Sequence, residues 1–250
     1  MSFVFRLFKL MLLILIVVGI TYLTTIYLTK KSVTKPDIKP NVITITNYIN
    51  ISTFTDFIKS YNKSNKDEDI HIIMKTIGGT LSYVEAICNC ILNHTGKGKI
   101  ICYVPYYVFS GGTIIALCCD EIITTKNSVF GPCDAQVLVN KKNERHPASS
   151  ISEVVSHKKN KNDIVNEIWL TADLEAQKAI QSQKKFVEKL CKVKQYNETD
   201  LYNELFSGKY YHDEIFTSQD LNDMNLNLNI SIVDMIPDDI LEQLEINSND

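Results

Sequence analysis

The chain has 250 residues, 45% hydrophobic and 22% charged, which suits one globular domain with a sizeable core. Its formal charge is −3, and the early basic residues Arg6, Lys9, Lys30, Lys31 and Lys35 leave the remainder more acidic still, with no basic stripe, so nucleic acid is not expected as a partner. Seven cysteines without a C-x-x-C pair argue against zinc ribbons and thioredoxin-like redox sites; buried free thiols in a reducing compartment are expected, with no metal and no organic cofactor.

Leu10 to Leu28 carries no charge and is flanked by Arg6 and Lys9 on one side and Lys30 and Lys31 on the other. A helix needs roughly 20 apolar residues to cross the hydrocarbon layer, so this segment is expected to be a single N-terminal transmembrane helix in contact with lipid through residues 10–28. It is too long for a signal-peptide apolar region, and no small-x-small cleavage site follows it. The expected organisation is therefore a membrane anchor over 1–31, a polar linker containing Pro36 and Pro40 over 32–40, and a folded domain over 41–250.

Val42-Ile43-Thr44-Ile45-Thr46 alternates as a strand, and Ser52 or Thr53 is placed to cap a helix running through Phe54, Phe57, Ile58 and Tyr61. Strand Ile70–Met74, helix Leu81–Leu92, strand Lys99–Val104, helix Gly111–Cys119 and strand Glu121–Thr124 follow. This alternation predicts parallel pairing through right-handed crossovers. Val129 to Asp134 reads as a tight turn, Leu138 to Ser150 as a polar loop, and Ser150 to about Val193 as helical, with apolar faces suited to packing or to a partner helix. Thr199 or Asp200 caps a short helix, Leu201–Phe206, that Gly208 ends. A last strand, Leu228–Val233, precedes an acidic helix after Pro237.

Two strand-Gly-Gly-helix units stand out. Ile70–Met74 leads to Gly78-Gly79, and the run Ile100–Val104 leads to Ser110-Gly111-Gly112. Acyl transfer needs a nucleophile on a constrained turn, a base, and backbone donors for the oxyanion. Ser110 can supply the first, and the amide after it opens a helix, where unpaired N–H groups favour negative charge. Taken alone, a serine before two glycines is more often a helix N-cap than a nucleophile.

The ordered motifs say more. Thr76-Ile77-Gly78-Gly79-Thr80 comes first, then Val104-Pro105-x-Tyr107-x-x-Ser110-Gly111-Gly112-Thr113-x-Ile115-Ala116-Leu117. Asp120-Glu121-Ile122, Phe130-Gly131-Pro132-Cys133-Asp134-Ala135-Gln136, Ser207-Gly208-Lys209-Tyr210-Tyr211-His212-Asp213 and Asp234-Met235-Ile236-Pro237 follow. Over roughly residues 40–245 this series resembles the serine dehydrogenase proteinase family of the Clp protease/crotonase superfamily, related to signal peptide peptidase A. The resemblance implies an α/β fold, a Clp/crotonase-like spiral of ββα units, with Ser110 as nucleophile and Gly78 or Gly79 with Gly111 as oxyanion donors. The strand after Ser110 lacks the histidine that Clp proteases carry there, so the resemblance to signal peptide peptidase A implies a lysine base on a later helix, Lys158 or alternatively Lys159. His212, Asp213 and Asp134 are then expected to support the site without reacting. Ile77 stands where the family usually has proline.

The implied activity is that of a membrane-anchored serine endopeptidase, a homo-oligomer acting on peptide or membrane-protein substrates through a Ser-Lys dyad. A catalytically silent scaffold that organises membrane proteins, and an acyl-CoA enzyme that uses the same oxyanion geometry, are the alternatives.

Overall fold

The computed structural model describes residues 16–24, 41–139, 144–161 and 163–247. The chain divides into two compact units, Met1–Ile38 and Lys39–Asp250. In the first, residues 16–24 form helix α1, whose Thr21 and Thr24 hydroxyls donate back to Val18 O and Ile20 O at 2.9 Å each. Residues 10–15 and 25–28 of the expected span lie outside the described residues. Among the described residues no helix is long and apolar enough to cross a membrane.

The second unit is an α/β domain built around β2 (Ile70–Gly79), with β1 (Val42–Ile49) on one side and β3 (Ile100–Val104) on the other, both parallel to it. The sheet continues through β5 (Glu121–Thr125) to β10 (Ile230–Val233) at its edge. Past Met74, β2 leaves β3 and pairs through Thr76 with Val108 of β4 (Tyr107–Val108), which leads to β6 (Val129–Phe130) and the antiparallel β9 (Phe216–Thr217). One long strand thus serves two ladders, and its far end carries the Gly78-Gly79 turn between them. The strand predicted to stop at Met74 runs on because this second ladder and the Tyr48–Gly78 and Ile49–Gly79 pairs of β1 continue its hydrogen bonding.

Helices α2 (Ile51–Lys63), α3 (Leu81–Leu92) and α4 (Gly111–Cys118) are the crossovers. Asn50, not Ser52 or Thr53, caps α2, accepting from Ser52 N and Thr53 N in a capping box. The main core joins Ile45, Ile72, Met74 and Val104 of the strands to Ile87, Ile91 and Ile115 of the helices, and α4 is buried along its whole length. Burying about 25 cal/mol per Å² of apolar surface makes such a core the main stabilising contribution. A smaller cluster of Val42, Ile73, Ile101 and Tyr103 is covered by Ile236, Ile240 and Leu244, the last two on α9 (Asp238–Asn247).

The segment expected as a loop over 138–150 is instead a β-hairpin, β7 (Gln136–Val139) with β8 (Glu144–Pro147), followed at once by α5 (Ala148–Asn160). Its charged composition hid the strands because one face alone is covered: Val139 packs with Ile151, Val155, Ala172 and Ala176 of α5 and α6 (Glu167–Lys194). Asn197 caps α7 (Glu198–Leu201), in place of the expected Thr199 or Asp200. A π-turn over Tyr202–Phe206 follows, and α8 (Ser218–Asp223) closes the run after β9.

Candidate active site

Ser110 joins β4 to α4 with φ +50° and ψ −119°, a backbone region that L-residues seldom adopt. Its side chain makes no cap hydrogen bond, so the N-cap reading does not describe it. The bend holds although such a conformation costs about 1–3 kcal/mol, because the surroundings over-determine it. Phe109 N–H donates to Thr76 O at 3.0 Å, Gly112 N–H to Phe109 O at 2.8 Å, and Cys133 Sγ–H lies 3.8 Å from Ser110 O. Strain stored at a strand-to-helix turn presents a hydroxyl outward, the arrangement that acyl-transfer nucleophiles use.

Gly78 faces this turn with φ +93°. A Cβ there would come within 2.9 Å of both Gly111 N and Ser110 Cβ and 2.8 Å of Phe109 O, so only glycine lets the two turns close on each other. The Gly78 N–H donates to Thr76 Oγ1 at 3.1 Å, whereas the Gly111 N–H has no acceptor among the described residues. Gly79 N lies 3.5 Å from the place a Gly111 Cβ would occupy. The two Gly-Gly turns that the sequence sets far apart are therefore in contact.

A cavity of about 360 Å³ opens over Ser110, Gly79 and Gly111, and Asp134 and His212 line it too. Asp134 is held by its neighbours: Cys133 N–H donates to Leu205 O at 2.7 Å, and Gln183 Nε2 donates to Cys133 O at 2.7 Å. His212 arrives on the segment that begins at Gly208, where φ is +79° and a Cβ would collide with Ser149 Oγ. Its Nδ1 is 2.6 Å from Asp134 Oδ1, and the Asp134 side chain is only 3% exposed. Gln136 Nε2 donates to the other oxygen, Oδ2, at 2.6 Å. A carboxylate acceptor at that distance places the imidazole proton on Nδ1 and leaves Nε2 as a lone-pair acceptor, and Nε2 has no partner among the described residues. The Asp134 hydrogen bond raises the His212 pKa above the ordinary 6.5, against the opposing effect of burial.

The expected lysines lie elsewhere. Lys158 is exposed near the end of α5 and lines a separate cavity of about 510 Å³ with Val154, Val155, His146 and Trp169. The two cavities share no lining residue. Lys159 pairs with the buried Asp173 of α6 at 3.4 Å. Asp213 is exposed and does not line the Ser110 cavity, although its charge helps to raise the His212 pKa. Sequence reasoning passed over Gln136, Tyr48 and Arg145, all of which line the cavity. Gln136 closes one of the family motifs without being given a role, and Arg145 left a trace in that it and Arg6 are the chain's only arginines. The seven cysteines are unpaired, and six are buried.

Comparisons with known proteins bear on the family and the fold. Residues 34–249 match the model of the ClpP-like SDH-type serine proteinases. Two uncharacterized proteins of Methanocaldococcus jannaschii, MJ1495 and MJ0137, are 31% and 30% identical to this chain, each over 82% of it. The chain spans 65% of the length of the first and 67% of the second. Among solved structures the fold is similar to that of the 1510-N membrane-bound stomatin-specific protease, with TM-score 0.54, 17% identity, and coverage of 82% of this chain and 86% of that one. It is also similar to ClpP1 from Listeria monocytogenes, with TM-score 0.51, 14% identity, and coverage of 85% and 99%. These two likenesses bear on the fold, which is Clp protease-like, and the matched span places the chain in the family of ClpP-like SDH-type serine proteinases.

Proposed function

We propose that the protein is a serine endopeptidase in which Ser110 attacks the scissile carbonyl, His212 takes its proton through Nε2, and Asp134 orients and charge-stabilises the imidazole. The observation that carries this reading is the shared cavity, which gathers the strained Ser110 turn and the 2.6 Å His212–Asp134 pair. The oxyanion of the tetrahedral intermediate would be met by amides of Gly111 and of the Gly78–Gly79 turn, where preorganised donors are worth about 10²–10³ in rate. His212 would then return the proton to the leaving amine, and water would repeat the sequence on the acyl-enzyme. The exposed apolar side chains Ile77, Leu81 and Leu138 at the rim offer contacts to an extended peptide.

This reading replaces the Ser110–Lys158 dyad, because a lysine in a separate cavity is poorly placed to reach the hydroxyl. The uncharged run Leu10–Leu28 supports an N-terminal membrane anchor and therefore a membrane-protein or membrane-proximal substrate. One protein of similar fold, the 1510-N membrane-bound stomatin-specific protease, points the same way. Self-association through the exposed apolar residues Val154, Ile164 and Trp169 belongs to the same proposal.

The test is labelling of the full-length chain by a fluorophosphonate probe, with wild type, Ser110→Ala, His212→Gln and Lys158→Met compared. Labelling lost in the first two variants and kept in the third is expected. Labelling that survives Ser110→Ala overturns the nucleophile, and loss in Lys158→Met with retention in His212→Gln restores the lysine dyad.

A further inference from the structure

The Ser110 cavity contains a cationic corner that neither the nucleophile nor its base uses. Of the 26 Lys and Arg residues only Arg6 and Arg145 are arginines, so the folded unit has a single guanidinium. That guanidinium lines the catalytic cavity. Its Nη2 donates to Tyr48 OH at 3.2 Å, and Tyr48 OH is 3.4 Å from Thr80 Oγ1. Thr80 stands at the N-cap position of α3 but makes no side-chain cap bond, which leaves its hydroxyl to this cluster.

Arg145 has no ion-pair partner among the described residues. Asp134, the acidic residue of the cavity, is committed through both oxygens to His212 and Gln136, and the adjacent Glu144 does not line the cavity. An arginine carries five N–H donors in a planar fork that matches a carboxylate, and one bond to Tyr48 leaves the remainder for a ligand. The Thr80 and Arg145 hydrogen bonds also lower the Tyr48 pKa, which marks its phenol as a polarised donor. No lysine lines the cavity, so the site offers one positive charge, suited to a singly charged planar anion rather than to a phosphate dianion.

We infer that Arg145, with the Tyr48 and Thr80 hydroxyls, is a carboxylate-recognition site that selects peptides bearing a carboxylate close to the bond that is cut. The inference rests on the serine-peptidase reading for the identity of its ligand. The carboxylate comes from an acidic side chain or from the peptide's own C terminus, and both present the same chemistry to the guanidinium.

The experiment uses the full-length Ser110→Ala protein at low ionic strength and four fluorescein-labelled peptides with one apolar core. They differ by Glu or Gln within the core and by a free or amidated C terminus. Fluorescence anisotropy is expected to show at least one carboxylate peptide binding about tenfold tighter than the doubly neutral one, the range of one charge-assisted hydrogen-bond pair. The Glu arm and the free-terminus arm separate the two sources. Adding Arg145→Gln is expected to abolish the preference, and Arg145→Lys to keep only part of it, because lysine retains the charge without the fork. Equal binding of all four peptides, or no binding of any, overturns the inference, as does a preference that persists in Arg145→Gln with an unchanged thermal melt. Fluorophosphonate labelling of wild-type Ser110 is read in parallel. If labelling holds while the preference is absent, only the carboxylate site falls; if labelling is absent, the peptidase reading falls with its own test.

Discussion

Two cavities in this protein each place a nucleophile or a potential base among apolar walls, yet they differ in what surrounds those groups. Over Ser110, a strained turn, two Gly-Gly loops and a carboxylate-held imidazole converge from segments of the chain as far apart as Gly78 and His212. Around Lys158, by contrast, the walls come from β8, α5, α6 and the stretch between the two helices, and the ammonium lies on an exposed last turn. The proposed reactivity of the first cavity rests on this convergence of distant segments more than on the presence of a reactive side chain. Local walls can enclose an apolar space, and the other titratable group lining it is His146 of β8, with no carboxylate lining that cavity to hold its imidazole.

The largest expected effect breaks that contrast outright. Ser110→Ala and His212→Gln should each lower kcat/KM on a cleavable peptide by about 10⁴-fold or more, since triad members act as a unit. Lys158→Met should leave it within about threefold. The reverse ranking, measured with the same peptide, would move the base to the second cavity.

Asp134→Asn comes next, with an expected loss of about 10²–10⁴-fold, as the orienting carboxylate and its charge disappear together. Its sign with pH is specific. Asp134 raises the His212 pKa, and a base must be neutral, so wild-type activity falls as pH drops through that raised value. In Asp134→Asn the acid limb should shift to lower pH. Stability runs the other way: the imidazolium–carboxylate pair stabilises the fold below the unfolded-state histidine pKa, and that contribution is lost as pH rises through the folded value. An acid limb that stays in place in the variant would detach His212 from the reaction.

Smaller effects sharpen the comparison at the turns. Gly78→Ala should destabilise the protein by more than about 1 kcal/mol in urea unfolding, since φ +93° and the 2.8 Å approach to Phe109 O leave no room for a methyl group. The smallest effect concerns Ser110 itself. Ser110→Gly should be more stable than Ser110→Ala by about 1 kcal/mol, because glycine adopts φ +50° without strain. Equal stabilities would mean that the turn stores no strain.

The alternating strands and helices from Val42 to Thr125 were legible because apolar runs of strand and helix length alternate between polar or glycine punctuation, and α3 was placed to the residue. Ser110 and the two Gly-Gly turns were legible as candidates, and the ordered motifs around them pointed to the family. The hairpin β7–β8 was hidden by its charged face, and β4 and β9 were hidden because two-residue strands carry no periodicity; the family resemblance, not periodicity, marked the strand at β6. Cap positions also escaped, since Asn50 and Asn197 compete with nearby hydroxyl and acidic residues that look as suitable.

The sequence by itself determined the parallel α/β scaffold, the uncharged N-terminal run and the presence of a serine at a glycine-flanked strand-to-helix turn, since each depends on residues close together in the chain. Tertiary structure decided which imidazole, which carboxylate and which guanidinium share the cavity with that serine. His212 lies about a hundred residues beyond Ser110, and Arg145 sits on β8, a Glu-Arg-His-Pro strand with no apolar signature. A proton or a charge acts over a few ångströms of space, and only the folded chain establishes which distant residues lie that close.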